Sequence, residues 1–249
     1  MIASERRRYI LQALSQRGIV SLKDMASEMG TAEITARRDI EKLEKEGKLR
    51  RVQGGAASLE DAEEAELAMQ QRLTVKRQEK AAIAAFAATL VEEGDVVFLD
   101  SGTSMIPLAV ELLKRRVTIV TNNTMFFNYI QNPTGRLIMI GGEHIAYYEM
   151  NVGVIAQDMI RQFSFDKAFL GCSGLDLPNR RVCGTELQSV EIKRLVLAHS
   201  QKKYLLLDSS KFEGKGFMKV CETSEFDQII CDRFPFPEDE KPDNLVSIS

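Results

Sequence analysis

The fold of the larger part of this chain is decided by residues 96–104, which read VVFLDSGTS. Four apolar residues, enough for a short buried strand, run into a polar turn of Asp, Ser, Gly and Thr, and a helix-forming stretch follows at residues 105–114. A strand that feeds a helix through a short turn is the building unit of an α/β domain. The start of such a helix has free backbone N–H groups and the positive end of the helix dipole, and the three hydroxyls add donors. We therefore predict an anion site at this turn, with a phosphate as its natural occupant.

The same alternation of strand and helix continues towards the C-terminus. Short apolar strands are predicted at residues 117–120, 137–140, 168–170, 204–207 and 228–231, and helices at residues 125–131, 153–163 and 186–200. This rhythm is typical of a mostly parallel sheet with helices on both faces, so residues 79–235 are predicted to form an α/β domain. Ligands of such folds bind beyond the carboxyl ends of the strands.

Small polar residues and glycines follow five of the predicted strands, which indicates a polar pocket at one edge of the sheet. Lys211 would add a countercharge to the anion. Asp100, Asp176 and Glu186 would accept hydrogen bonds from sugar hydroxyls, although Glu186 could equally serve only as negative charge at a helix start. A nucleotide is disfavoured, because the sequence has neither a GxxxxGK[ST] nor a GxGxxG motif. The predicted effector-binding residues are Asp100, Ser101, Gly102, Thr103, Ser104, Thr121, Asn122, Asn123, Gly141, Gly142, Gly171, Ser173, Gly174, Asp176, Glu186 and Lys211.

A smaller, basic unit precedes this domain. Residues 1–58 carry twelve Lys and Arg against eight Asp and Glu, a net charge of +4; the whole chain carries −3, so the remainder carries −7. This asymmetry is typical of a nucleic-acid reader joined to a second domain. Three short helices are predicted here, with a turn at Gly30 before the third, and the third is predicted to turn Ile34, Ile40 and Leu43 inward. Residues 48–56, KLRRVQGGA, are predicted to form a β-hairpin, which completes a winged helix-turn-helix.

The third helix of this motif is predicted to enter the major groove of DNA. Arginine forks suit both guanine edges and phosphates, and Arg50 and Arg51 on the hairpin would reach the flanking backbone. In the alternative interpretation, Arg37 and Arg38 form a solvated face paired with Asp39 and Glu41. The predicted DNA-binding residues are Glu33, Thr35, Arg37, Arg38, Lys42, Arg50, Arg51 and Gln53.

The N-terminal pattern resembles the DeoR family of bacterial sugar-metabolism repressors. The resemblance lies in Glu5-Arg6, Ile10-Leu11, TARRDI at 35–40, Leu43-Glu44, Gly47 and GGA at 54–56. Three positions depart from the family pattern: Ala32 replaces a capping serine, Ala36 an isoleucine and Gln53 the histidine of the wing. The resemblance continues through LDSGTS (99–104), VTNN (120–123), the glycines at 141–142 and 153, FLGCSGLD (169–176), GT (184–185), EIKR (191–194) and DSSKF (208–212).

This resemblance implies a function for both units. The C-terminal domain is similar to ribose-5-phosphate isomerase and glucosamine-6-phosphate deaminase. In the family, a phosphorylated sugar or polyol binds this domain and weakens the affinity for operator DNA, and members are homo-oligomers, dimers or tetramers. The chain is therefore expected to repress a carbohydrate-utilisation operon, although an activator of transcription would use the same parts.

A catalytic alternative is an active sugar-phosphate isomerase or deaminase with an added DNA-binding domain. An isomerase needs a general base over the sugar, a partner acid and a stabiliser of the enediolate. The isomerases to which this domain is similar carry an acidic DGAD-like cluster after the fourth strand, whereas CSGLD here keeps only Asp176. Of the two histidines, His199 lies late in a helix and only His144 could reach a ligand. We therefore expect no enzymatic activity.

The remaining segments and the composition complete the prediction. Residues 59–78 lack Gly and Pro and are predicted to be a helical linker, and residues 236–249 a loosely attached tail. The four cysteines have no CxxC spacing and no neighbouring histidine cluster, so neither a metal site nor a disulfide framework is expected, and no cofactor is predicted. Without an apolar run of membrane-spanning length or the apolar stretch of a signal peptide, a cytoplasmic protein with no membrane partner is expected.

Overall fold

The chain divides into two compact units, Met1–Gln70 and Gln71–Ser249. The computed structural model describes residues 2–17, 19–52, 55–57, 72–130, 133–145, 148–212, 216 and 218–248. Most of the predicted linker, residues 58–71, lies outside the described residues. Its last part, residues 72–78, belongs to the C-terminal unit, so that unit begins before the predicted boundary at residue 79.

The N-terminal unit combines helices with a small antiparallel sheet. Its elements are α1 (Ala3–Arg17), β1 (Ile19–Ser21), α2 (Leu22–Glu28), α3 (Glu33–Lys45), β2 (Arg50–Val52) and β3 (Gly55–Ala57). The strands lie in the order β1-β3-β2, so the predicted hairpin gains a third strand from the segment between α1 and α2. This arrangement confirms the predicted winged helix-turn-helix.

Local chemistry sets the turn between α2 and α3. The hydroxyl of Ser21 caps α2 by accepting a hydrogen bond from the N–H of Asp24 at 3.4 Å. Gly30 follows α2 with a φ of +61°, a left-handed conformation in which a side chain would be strained. Ala32 precedes α3 and provides no side-chain cap, as its departure from the family pattern implied.

The core of the N-terminal unit is built from all three helices, with Ile10, Met25, Ile40 and Leu43 almost fully buried. The prediction that Ile34 faces this core was wrong, because its side chain is 63% exposed and Ala36 takes an inward position instead. Ile34 lies six residues before Ile40, which at 3.6 residues per turn places it on a different side of the helix.

The C-terminal unit is an α/β domain built around one large sheet. Its helices are α4 (Arg77–Thr89), α5 (Met105–Leu112), α6 (Gly153–Ile160) and α7 (Leu187–Ala198). The stretch predicted as a helix at residues 125–131 is a short 3-10 helix, Thr124–Asn128. Its strands are β4 (Val96–Leu99), β5 (Thr118–Thr121), β6 (Arg136–Met139), β7 (Glu143–Ile145), β8 (Met150–Val152), β9 (Phe165–Leu170), β10 (Gly174–Asp176), β11 (Arg181–Gly184), β12 (Ser200–Leu207), β13 (Met218–Glu222), β14 (Gln228–Cys231) and β15 (Leu245–Ser247).

Seven strands form a parallel sheet in the order β15-β14-β12-β9-β4-β5-β6, which confirms the predicted fold class. Strands of such a sheet are apolar on both faces because helices cover both sides. Phe98 and Leu205 share one hydrophobic cluster with buried residues of α6 and α7. Their neighbours Leu99 and Leu206 point to the opposite face, since side chains alternate along a strand. Two small antiparallel sheets, β10-β11-β13 and β7-β8, stand beside the main sheet.

The predicted tail, residues 236–249, is instead part of the domain. Strand β15 pairs in parallel with β14 and forms the edge of the main sheet, and Leu245 is buried. Asn244 fastens the segment by donating from its side chain to the main-chain oxygens of Thr223 and Phe226, at 3.0 and 2.8 Å. The prolines and charges that suggested a tail lie in the connection between β14 and β15.

Candidate nucleic-acid interface and effector site

The outward face of α3 is basic. Arg37, Arg38, Lys42 and Lys45 are exposed, and within the part of the chain that the structure describes no carboxylate pairs with Arg37 or Arg38. The alternative in which these arginines pair with Asp39 and Glu41 was wrong. Asp39 is buried and pairs with Arg6 of α1 at 2.6 Å, and Glu41 pairs with Arg51 at 2.7 Å. The two arginines therefore remain available to an external anion.

The wing is tied to α3 by Arg51. Its guanidinium contacts Glu41 at 2.7 Å and Glu44 at 3.2 Å, and its main-chain N–H donates to Glu44 at 3.0 Å. Arg51 was predicted to contact the DNA backbone, and the structure shows it bracing the wing. The side chain of Arg50 and all of Gln53 lie outside the described residues.

Ile34 is a surface residue that the sequence prediction missed. It lies one turn before Arg38 on the same side of α3, and its side chain is exposed. Glu33 is exposed in the first turn and Thr35 is half-buried. The sequence did contain a sign of this exposure. A core-facing residue of a helix usually has another apolar residue three or four positions away, and Ile34 has none within α3.

The predicted anion site is the turn between β4 and α5, here called the anion loop (residues 101–104). The N–H of Met105 donates to the carbonyl of Gly102 at 3.1 Å, and the N–H of Ile106 to that of Thr103 at 3.4 Å, which winds the loop into the helix start. Among the described residues, the main-chain N–H groups of the loop itself have no acceptor. Ser101 and Thr103 are nevertheless buried. Partly buried, unpaired N–H groups at a helix start favour an anion.

Asp100 is held inside the protein. It is 1% exposed, and its Oδ2 accepts from the Lys193 ammonium and from the N–H of Gly171, the latter at 2.9 Å. Among the described residues, its Oδ1 accepts only from the hydroxyl of Ser101, at 3.5 Å. The carboxylate that was predicted to meet sugar hydroxyls thus ties β4 to β9 and α7.

Lys80 was not predicted, although it contacts the anion loop directly. It is 6% exposed, and its Nζ donates to Thr103 Oγ1 at 3.1 Å and to the main-chain oxygen of Arg72. Burial lowers the pKa of Lys80, and the nearby charge of Lys211 lowers it further while that of Asp208 opposes this. The half-buried Lys211, predicted as a countercharge, therefore lies near the same ammonium.

Lys80 and Lys193 are both buried, and the sequence indicates this in the same way for each: a lysine lies within an apolar stripe of a helix. Lys80 lies on the apolar face of α4, three and four residues before the buried Ile83 and Ala84. Lys193 lies on the buried face of α7, three residues from both Val190 and Val196. A lysine within an apolar helical stripe is rarely buried without a partner, so each was a candidate for a buried polar contact.

The residues after β5 brace the anion loop. Asn123 donates from Nδ2 to the main-chain oxygens of Asp100 and Gly102, both at 3.4 Å, and accepts from the N–H of Met125 at 3.0 Å. Thr121 is buried and donates to the Leu99 oxygen at 2.6 Å. Asn122 donates to Asn151, and its Oδ1 is buried without a partner in the described structure. The Asn123 side chain therefore fixes the main chain of the anion loop through its carbonyl oxygens.

Other predicted effector residues have structural roles. Glu186 caps α7 by accepting from the N–H of Gln188 at 3.1 Å, and burial raises the pKa of its carboxyl. Gly142, with a φ of +135°, leaves no room for a side chain, since a Cβ would lie 2.4 Å from the Val152 oxygen. Gly141 lies beside Met159. Ser173 and Thr185 share a hydroxyl hydrogen bond at 3.3 Å, and Gly174 is buried in β10.

Asp176 is engaged within the turn that follows its own strand. Its carboxylate is held by the Asn179 side chain at 2.9 Å in the β10–β11 turn. It also lines a separate cavity of about 600 Å³ with Leu177, Phe212 and Phe236, to which no residue of the anion loop contributes. Among the described residues, Asp176 has no hydrogen bond or ion pair with the anion loop, and β10 belongs to the small sheet rather than to the main one. Its contact with the effector stays a prediction.

Comparison with known proteins assigns both units. Residues 6–62 match the model of the DeoR-like helix-turn-helix domain, and residues 75–233 match that of the DeoR C terminal sensor domain. The chain belongs to the DeoR family. It is therefore a DNA-binding transcription regulator rather than an enzyme, and its C-terminal unit is a sensor domain.

Similar proteins cover nearly the whole chain. A lactose phosphotransferase system repressor of Staphylococcus epidermidis is 30% identical over 242 residues, 96% of each chain. An uncharacterized HTH-type transcriptional regulator of Escherichia coli is 32% identical over 93% of this chain and 91% of its own. Ribose 5-phosphate isomerase A of Methanocaldococcus jannaschii is 15% identical, with a TM-score of 0.41 over 55% of this chain and 54% of its own. In the described part of the chain, no helix has the length and apolar character needed to span a membrane.

Proposed function

We propose that this regulator represses a carbohydrate-utilisation operon and leaves its operator when a phosphorylated sugar or polyol binds the sensor domain. The observation that carries the proposal is the anion loop, whose main-chain N–H groups have no acceptor in the described structure and whose Thr103 meets a buried ammonium. The names of similar repressors, which act on a lactose phosphotransferase system, support the link to sugar use.

The chemistry of the loop favours a phosphate over a neutral sugar. The N–H groups at the start of α5, the hydroxyls of Ser101, Thr103 and Ser104 and the charge of Lys80 are all suited to phosphate oxygens. Polar groups further along the edge of the sheet would then contact the sugar hydroxyls. A neutral sugar would leave the buried ammonium without a counterion, so it would bind more weakly.

The DNA-binding unit supplies the other half of the function. The exposed Arg37, Arg38 and Lys42 suit guanine edges and phosphates, and Ile34, one turn before Arg38, suits the methyl group of thymine. One such unit reads few base pairs, so we infer that the protein acts as a homo-oligomer, dimer or tetramer, on paired half-sites. Bacterial DNA lies in the cytoplasm, and we place the function there.

Release would follow from a shift between two arrangements of the oligomer. The effector binds one arrangement better, and in that arrangement the paired reading helices no longer match both half-sites at once. Affinity for the operator then falls, because the second contact of each pair is lost.

Two measurements on purified full-length protein test the proposal. A duplex selected by the protein from a random pool should be released by a phosphorylated sugar and not by the same sugar without phosphate. In a thermal-shift screen, an effector at about a hundred times its Kd should raise the Tm of the protein by roughly 5–10 °C. The proposal fails if no phosphorylated sugar or polyol raises the Tm, or if neutral sugars release the duplex equally well.

A further inference from the structure

We propose that Lys80 couples the anion loop to residues 72–76, the segment through which the chain enters the sensor domain. An anion bound at the loop would draw the ammonium of Lys80 away from Arg72 and so free this segment. The inference rests on the proposed function, because the anion is the phosphate of the effector.

The ammonium group of Lys80 contacts both the anion loop and the segment 72–76. Lys80 Nζ donates to Thr103 Oγ1 in the anion loop at 3.1 Å and to the main-chain oxygen of Arg72. Arg72 is the second residue of the C-terminal unit, which begins at Gln71. Any movement of this ammonium therefore changes a contact at the ligand site and a contact at the entry to the unit together.

The charge of Lys80 is poorly compensated in the structure. Across the described ranges no carboxylate lies within 4 Å of its Nζ, and its two partners are a hydroxyl and a carbonyl. Asp208 and Glu79 act on it from further away, and Glu79 is engaged by Lys76 at 2.9 Å. Lys211 and Arg72 repel it. A phosphate oxygen would be a stronger acceptor for this ammonium than the carbonyl of Arg72, because it carries the opposite charge whereas the carbonyl is neutral.

A break in the helix allows the segment to respond. Lys76 directly precedes α4 with a φ of +55°, in the left-handed region, and provides no side-chain cap. The helical turn at residues 72–74 is therefore not a continuation of α4. Residues 72–75 can shift without unwinding α4, whose first hydrogen bond runs from the Lys80 N–H to the Lys76 carbonyl at 2.9 Å, and α4 keeps Lys80 beside the anion loop.

Effector binding and loosening of the segment 72–76 would thus correspond to two positions of the Lys80 side chain. In the structure Lys80 donates to the Arg72 oxygen; with an anion bound at the loop, the ammonium would turn to the anion and the segment would be loosened. Since the segment leads to the DNA-binding unit, the arrangement of that unit becomes dependent on the effector.

Hydrogen exchange of the full-length protein, measured by mass spectrometry, tests this coupling. The probe is inorganic phosphate in a buffer otherwise free of phosphate and sulfate, at constant ionic strength, with its binding followed by calorimetry. In the wild type, phosphate should speed amide exchange in peptides covering residues 72–76 by on the order of tenfold. Lys80→Met should exchange that fast without phosphate and show no further response. Lys114→Met, a change of an exposed lysine on the surface, should behave as the wild type.

Each other outcome counts against the coupling. If phosphate binds the wild type and exchange at residues 72–76 is unchanged, or if Lys80→Met still responds, the coupling is wrong while the anion site stands. If neither phosphate nor any phosphorylated sugar or polyol of the thermal-shift screen binds, the coupling and the proposed function fail together. Should Lys80→Met not fold, Lys80→Arg decides: it keeps the cation and should respond to phosphate, and binding without a response overturns the coupling.

Discussion

The two units of this protein use their cations in opposite ways. On α3, Arg37, Arg38 and Lys42 are exposed and have no ion-pair partners among the described residues. In the sensor domain, Lys80 and Lys193 are buried and each is fixed by neighbours. An exposed cation meets a long polyanion with little loss of hydration, whereas a buried one is set in place for a small anion or for a structural carboxylate. The difference separates a surface that reads DNA from a pocket that senses a ligand.

The largest effect, on the free energy of unfolding, is expected when the buried lysine that pairs with a buried carboxylate is replaced by an apolar residue. Lys193→Met leaves Asp100 charged and almost fully buried, so the free energy of unfolding should fall by about 3–5 kcal/mol. The exposed pair Lys202–Asp227 is the control, and Lys202→Met should cost about 1 kcal/mol or less. Urea unfolding of both variants measures the contrast; similar losses would mean that burial does not distinguish the two lysines. The double variant Asp100→Asn/Lys193→Met should recover part of the loss.

The second-largest effect is expected when a side chain is added at the anion loop without changing any charged residue. A Cβ added at Gly102 would meet no atom within 4 Å, and the residue has no left-handed φ. Gly102→Leu should therefore fold, with its side chain competing with the effector for the anion loop. Affinity for the effector should fall about a hundredfold or more, which corresponds to about 2.7 kcal/mol. Calorimetry with the effector and a gel shift with the operator check this. Retained effector binding would show that the ligand lies elsewhere, and operator binding should be as in the wild type.

The third effect is on the exposed side. Arg37→Ala should weaken operator binding by about 1–3 kcal/mol, roughly 5- to 150-fold, and should leave effector affinity and stability unchanged. Lys114→Ala removes an exposed lysine from the sensor domain and serves as the matched control. A footprint with Arg37→Ala identical to that of the wild type would remove this arginine from the reading surface.

The smallest effect is expected at Ile34. Ile34→Ala removes an exposed apolar side chain, so stability should change by no more than about 0.5 kcal/mol. Discrimination at one base pair should weaken by about 1 kcal/mol if the side chain meets a thymine methyl. Selection of binding sites with the variant measures this, and an unchanged preference at every position would place Ile34 outside the interface.

The same contrast explains how much of the structure could be predicted from the sequence. The winged helix-turn-helix and the anion loop are local: a glycine turn, a basic helix and a strand that runs into a Ser/Gly/Thr turn lie within short stretches. The partners of Lys80 and Lys193 are not local, because Thr103 and Asp100 lie in the connection between β4 and α5, 23 and 93 residues away in the chain. Strand β15 was missed for a similar reason, since its pairing with β14 spans a connection rich in prolines and charges. The place of β10 in the small sheet, which positions Asp176, is likewise not visible in the sequence.

The most direct test of the central claim is the operator affinity of the full-length protein, measured at fixed ionic strength with a phosphorylated effector, with the same sugar lacking phosphate, and with each added to Gly102→Leu. The account predicts that only the phosphorylated compound weakens binding, and only in the wild type. Equal weakening by the neutral sugar, or release of Gly102→Leu by the phosphorylated one, would contradict an anion at the start of α5 as the signal.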